Sequence, residues 1–398
     1  MRILMMIHRL ADNSPYCFYV HEQAKALRAQ GHDVTVISCV GTMPMMKALR
    51  PALYETDRRT PKEAVIDGVP VYFPRCLTLG NAGERWLGGW PMYRAALPIA
   101  QRLHAQKPFD LLHAHMLPRE GHAGRLLGRA LGLPVALTVH GTDVFHYFIP
   151  GQTPWKRNVE TARRVDALMA VSSLLLSRVA PYRGEGRISR VVQNGVDLSL
   201  VPENEARRPR AVISVGTLKA RKCMDKTLEA FARLADEYGD ATLTIVGIGE
   251  MEQALRARIA ELHLEGRVTL TGGLPHEEVL RRMAQSDLFV LPSWGEGYGI
   301  VYIEAMAAGC IAVGAENEGI ADTITDGENG FLVPAGDTDA VERVMRAVFA
   351  HPEAYEALRA RGMRDARELT WAHNAEITAG VYREAMEHWR KEHAQAGH

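Results

Sequence analysis

Short apolar runs alternate with longer amphipathic stretches along the whole chain, the pattern of repeated strand and helix units that feed a parallel sheet. In the first half the runs predict strands at Arg2–Ile7, Val34–Cys39, Val69–Phe73, Leu111–Ala114, Val135–Val139, Ala167–Val171 and Ile188–Val192. Helical spacing between them predicts Tyr19–Gln30, stopped by Gly31, and Trp90–Gln106. A second series predicts strands at Ala211–Val215, Thr242–Val246, Val268–Thr271, Leu288–Leu291, Ile311–Val313 and Phe331–Val333. The stretch 198–210, LSLVPENEARRPR, separates the two series; it is polar, holds two prolines and lacks an apolar period, as a linker does. Two doubly wound α/β domains are expected, over 1–197 and 211–376, followed by a tail that reads as one helix from Trp371 to His393.

The length of 398 residues supports this division, since one core rarely organises more than about 250–300 residues. Hydrophobic residues at 47% and charged residues at 24% give an ordinary globular balance. No apolar run is long enough to span a bilayer and RILMMI follows the first residue without a leader pattern, so a cytoplasmic protein is expected. Cys17, Cys39, Cys76, Cys223 and Cys310 are scattered without a Cys-x-x-Cys pair, which argues against a disulfide framework and a structural zinc. The net charge of zero conceals an imbalance: residues 1–200 hold 25 basic and 15 acidic side chains, and residues 201–398 hold 22 and 32. A basic first half suits an anionic partner or a membrane face, although drift in composition produces the same imbalance.

The densest chemistry lies in 293–314, SWGEGYGIVYIEAMAAGCIAVG. Gly295, Gly297 and Gly299 let backbone N–H groups approach a ligand, and the helix that follows aims its positive end at the same place, which is a diphosphate site in outline. Glu304 falls about one turn into that helix, in line with Val301, Ala305 and Ala308 on an apolar face. An unpaired carboxylate is costly there, so it needs a partner such as a pair of ribose hydroxyls. Glu296 precedes the helix and reaches the far end of the same ligand, although acidic residues also favour helix N-termini for their own sake. Arg221 and Lys222 follow the first strand of the second series, where a planar fork beside a point charge suits a diphosphate. In open α/β sheets ligands bind beyond the C-terminal strand ends, and these motifs all lie there.

The segment resembles the Glu-x7-Glu motif of retaining GT-B glycosyltransferases, in particular family four. HGTD at 140–143, NGVD at 194–197, Arg221-Lys222, VGIGE at 246–250 and DGENGFLVPAGD at 326–337 extend the resemblance in the order and rough spacing of that family. It implies a GT-B fold of two Rossmann-like domains facing across a cleft, with a last helix, 377–398, crossing back to the first. It implies transfer from a nucleoside diphosphate sugar, UDP first and GDP next as the commonest donors, to a hydroxyl of a glycan, glycolipid or small molecule. Front-face retention with no obligatory metal, no cofactor beyond the nucleotide sugar and no nucleic-acid partner is implied too. By the same resemblance His140, Arg221, Lys222 and Glu296 carry catalysis. Gly216, Gly249, Glu250, Gly297, Tyr298, Gly299, Ile300 and Glu304 hold the donor. Asn13, Ser14, Tyr16 and Asp143 lie on the acceptor side. The chain departs from the family where Thr217 follows Gly216, where Cys223 follows Lys222, and where Ser14-Pro15-Tyr16-Cys17 replaces a glycine pair.

Two metal-like patterns are discounted. Asp337-Thr338-Asp339 precedes a helix and reads as its N-cap. His113 and His115 sit at a strand end and are expected to point to opposite faces, away from a common ion. MPMMKALRPALY at 43–54 and RWLGGWPMYR at 85–94 mix Met, Trp and Tyr with basic residues, as segments at a membrane surface do, and as ordinary loops also do. A GT-B sugar-nucleotide epimerase and a non-catalytic nucleotide or sugar binder remain open alternatives.

Overall fold

The computed structural model describes residues 1–8, 18–43, 46–49, 51–78, 85–203 and 205–395. The chain divides into two compact units, Met1–Gln193 with Trp371–His398, and Asn194–Thr370.

The first unit is built on a sheet in the order β3-β4-β2-β1-β6-β7-β8-β9. Its strands are β1 (Arg2–His8), β2 (Asp33–Thr42), β3 (Glu63–Ile66), β4 (Val69–Tyr72), β6 (Leu111–His115), β7 (Val135–Val139), β8 (Ala167–Ala170) and β9 (Ile188–Val191), with β5 (Arg75–Leu77) added to the end of β2. All pair in parallel except β3 with β4. Those two form a hairpin around Asp67 and Gly68, whose φ of 46° and 79° meet the demand of a two-residue turn for positive φ at both centres. The parallel sheet expected from the sequence is present, and this hairpin adds an antiparallel strand at one edge. β3 alternates exposed and half-buried residues and β5 has three residues, so neither leaves an apolar run to find.

The last helix, Trp371–Gln395, belongs wholly to this unit. Its Ala375, Ala379, Val381, Tyr382, Ala385 and Met386 share one core with Ile3, Met5 and Ile7 of β1 and with Val34 and Val36 of β2. Gln23 on the helix Phe18–Ala29 donates to Asn374 at 2.7 Å and to Thr378 at 3.2 Å, a buried polar link between the two helices. The unit boundary therefore falls at the start of this helix rather than at 377. Residues 198–203 and 205–210 go with the second unit, where Val196 pairs with Leu369 and Thr370.

The second unit holds β10 (Ala211–Val215), β11 (Thr242–Val246), β12 (Val268–Leu270), β13 (Leu288–Val290), β14 (Ile311–Ala315) and β15 (Phe331–Val333), all parallel. The order is β12-β11-β10-β13-β14-β15, so the winding reverses between β10 and β13. At such a reversal the loops leaving neighbouring strands turn opposite ways and leave a crevice at the strand ends. Among the described residues no helix is long and apolar enough to cross a membrane. Cys39, Cys76, Cys223 and Cys310 are buried thiols outside any disulfide.

Candidate functional site

The reversal point of the second sheet collects the charged residues singled out by sequence. After β10 the chain makes a 3-10 turn at Ala220–Lys222, and after β13 it runs through the glycine-rich loop to the helix Ile300–Ala307. Lys222 is buried, and its Nζ donates to Oε2 of Glu296. Arg221 brings Nη1 within 3.7 Å of the same oxygen and donates to the carbonyl of Gly295 at 3.5 Å. Two cations thus share one carboxylate, which supplies the counter-charge that a buried lysine requires. An anion entering beside Glu296 meets both donors, with the helix N-terminus behind it.

Close backbone packing fixes these loops. Gly299 caps the helix at φ 83°, and a Cβ there would lie 2.6 Å from the Tyr302 ring, so only glycine fits. Gly249 is held as tightly against the other loop, since its Cβ would stand 2.5 Å from the carbonyl oxygen of Leu218. Gly216 donates to Val246 at 3.0 Å, and Leu218 to Ile248 at 3.0 Å, so the loops after β10 and β11 run together. Glu250 is exposed at the end of that pair. Glu318 clamps the glycine-rich loop by accepting from the N–H groups of Gly295 at 2.9 Å and Glu296 at 2.7 Å. Tyr298 is buried with its hydroxyl 3.4 Å from Thr323, and burial raises its pKa, so it stays a neutral phenol.

The partner that the apolar face demands for Glu304 lies within the chain. Oε1 of Glu304 accepts from Nε2 of His276 at 2.8 Å, and because a carboxylate only accepts, Nε2 carries the proton. The Glu304 side chain is 10% exposed. Neither His276 nor Glu318 was found by sequence reasoning. His276 stands 28 residues before its partner and Glu318 lies beyond the motif helix, so only the folded chain pairs them.

In the first unit, His140 follows β7 and its loop is locked by Asp143. The Asp143 carboxylate is fully buried and accepts from the N–H groups of Leu117 at 3.1 Å, His140 at 3.0 Å and Gly141 at 2.8 Å. Burial raises its pKa, with the backbone donors working against that rise. Asp143 is therefore a loop clamp that orients the loop carrying His140. Asn13, Ser14 and Tyr16 lie outside the described residues.

His113 and His115 correct an expectation. Residues two apart on a strand share a face, and the two rings stand 4.0 Å apart. Nδ1 of His115 hydrogen-bonds Nε2 of His140 at 3.1 Å, while His113 bonds the Tyr382 hydroxyl at 2.6 Å and Thr138 at 2.7 Å. Burial lowers the pKa of His113 and of His140 to about 3 and that of His115 well below its usual value. The trio is neutral at pH 7. Among the described residues no group of three His, Cys, Asp or Glu side chains is placed to hold a metal ion. Asp337 caps the helix Thr338–Ala350 by accepting from Ala340, as the sequence predicts.

Comparison with known proteins follows this division. The family model for glycosyl transferases group 1 matches residues 199–365, and that for glycosyltransferase family 4 matches residues 18–200. The chain is 28% identical over 383 residues to glycogen synthase of Mycobacterium tuberculosis, covering 92% of this chain and 89% of that one. Sucrose-phosphate synthase from Thermosynechococcus elongatus aligns with a TM-score of 0.75 at 19% identity, over 96% of this chain and 99% of that one. HepE from Anabaena, solved with UDP and glucose, aligns with a TM-score of 0.71 at 18% identity, again over 96% and 99%. At such identities the structural likeness carries the fold.

Proposed function

Because this chain belongs to glycosyltransferase family four and has the GT-B fold, we propose that it transfers a sugar from a nucleoside diphosphate donor, UDP-linked in the first instance, to a hydroxyl acceptor with retention of configuration. The observation that carries this reading is the cluster of Lys222, Arg221 and Glu296 at the reversal point of the second sheet, in front of a helix N-terminus. Arg221 and Lys222 stabilise the charge that develops on the departing diphosphate. Backbone N–H groups from Gly297 to Ile300 meet phosphate and sugar, and Glu296 takes sugar hydroxyls. Gly216, Gly249 and Glu250 line the nucleotide. Glu304, held on one oxygen by His276, offers the other to the ribose.

The bond from the anomeric carbon to the phosphate oxygen breaks, and the acceptor oxygen bonds the same carbon on the same face. The acceptor proton passes to the departing phosphate. Acceptor binding falls to the first unit, with His140 assisting at the reacting centre. The cations and the helix N-terminus supply the positive charge, so we expect no obligatory metal, and EDTA should leave turnover intact. HepE supports UDP as the nucleotide through the ligand it was solved with.

Thermal stabilisation by UDP, GDP and ADP, with Lys222→Ala as the control, tests this reading. A nucleotide at about 100 times its dissociation constant adds about 2.7 kcal/mol of stability. A selective shift that Lys222→Ala loses supports the site and names the base, and no shift with any nucleotide overturns it. An inverted anomer in the product, seen by NMR, would overturn retention.

A further inference from the structure

The two carboxylates of the glycine-rich segment are held in different ways. Glu296 lies against two permanent cations, Lys222 and Arg221, whereas Glu304 accepts from Nε2 of His276 at 2.8 Å. Histidine donates a hydrogen bond without having to carry a charge, as lysine and arginine do not. It fixes a carboxylate and leaves the negative charge to strengthen bonds from hydroxyl donors.

The contact is a product of the packing of the second unit. His276 is the first residue of the helix His276–Ala284, which buries Val279, Leu280, Met283 and Ala284. That helix packs on the motif helix Ile300–Ala307 and on β10. Cys310, just past the motif helix, donates to the Met283 carbonyl at 3.0 Å and ties the two helices at their far ends. The Glu304 side chain is 10% exposed and that of His276 is 44% exposed, so the pair runs from the apolar layer out to the surface. A glutamate has three rotatable bonds, and one that must meet two neighbouring hydroxyls loses that freedom on binding unless the fold has already removed it. The bond from His276 removes it beforehand.

We propose, on the reading that Glu304 binds the donor ribose, that His276 is a positioning residue: it holds the Glu304 carboxylate in the orientation that receives the ribose hydroxyl pair. Through Glu304 it sets the preference of the site for a ribonucleotide over one without those hydroxyls. Every group involved lies within Asn194–Thr370.

Titration calorimetry on the full chain tests the proposal, using UDP and 2′,3′-dideoxy-UDP, or the same pair on the base that the thermal shifts select. The unaltered chain should bind UDP at least about tenfold more tightly than the dideoxy compound. His276→Ala should cut that ratio to about threefold or less, by weakening UDP while leaving the dideoxy affinity within about twofold. His276→Gln, whose amide offers an N–H in place of the imidazole's, should restore most of the ratio. Equal weakening of both nucleotides by His276→Ala would make the histidine a structural prop, an unchanged ratio would make it idle, and tighter UDP binding would make it a competitor of the ribose; each overturns the proposal. Glu304→Ala judges the underlying reading separately. A ratio that Glu304→Ala leaves intact, or an unaltered chain that does not distinguish the two nucleotides, removes Glu304 from the ribose and the proposal with it. A ratio lost in Glu304→Ala and kept in His276→Ala overturns the role of His276 alone.

Discussion

Lys222 is buried against Glu296, and the pair makes an asymmetric prediction. Lys222→Ala removes the point charge that would neutralise a leaving diphosphate and leaves Glu296, 14% exposed, with Arg221 at 3.7 Å as its cation. Initial-rate measurements should show transfer falling on the order of a hundredfold or more, since a charged donor aimed at a developing anion is worth that much. Near-normal turnover would remove Lys222 from the mechanism. Much at this scale was legible, because a lysine after one strand and a carboxylate after another have few structural reasons to sit at strand ends. The hidden part was the second layer of contacts: His276 on Glu304, and Glu318 on the loop N–H groups, join segments with no shared period or motif. His113 and His115 failed for a different reason. Their spacing was legible, but strand geometry puts residues two apart on one face.

That shared face gives β6 a role as an element. It carries the His113 and His115 imidazoles into the interior, where Tyr382 of the last helix closes on His113. Tyr382→Phe removes the hydroxyl and leaves Nδ1 of His113 buried without it, which should cost about 1–3 kcal/mol in urea unfolding. A loss near zero would show that the polar link between helix and sheet is dispensable. The same element predicts a pH dependence. Both histidines have folded pKa values depressed by burial, that of His113 to about 3, so the unfolded chain takes up their protons first as pH falls below about 6.5. The contribution of His113 is fully present above that pH and is lost on the way down toward 3, at about 1.4 kcal/mol per pH unit, and His115 acts in the same direction. A urea midpoint that stays flat from pH 7 to pH 5 would contradict it. Central strands such as β1 and β8 were legible as continuous apolar runs, because both faces are covered. β3 and β5 were not, because an edge strand of three or four residues needs no such run.

For the whole molecule, the course of the chain sets which piece can stand alone. Every residue assigned to the donor, from Gly216 to Glu304 with His276 and Glu318, lies within Asn194–Thr370, and that unit has a complete six-stranded sheet. A fragment of residues 194–370 should therefore fold and bind UDP with an affinity within about tenfold of the full chain's, as one unit with its own core can. Residues 1–193 are in a different position. Their core is completed by Ala375, Ala379, Val381, Tyr382, Ala385 and Met386, which arrive only with the last helix. Cutting after Thr370 exposes the apolar surface that these six side chains cover and leaves the Gln23 amide without Asn374 and Thr378. At roughly 25 cal/mol per Å² of apolar surface, a loss spread over six core positions is comparable with the 5–15 kcal/mol that holds an ordinary domain together. Residues 1–193 alone should lack a cooperative thermal transition, and adding a synthetic 371–395 helix in trans should restore one. A cooperative transition in residues 1–193 without that helix would show that the first unit's stability does not depend on the end of the chain.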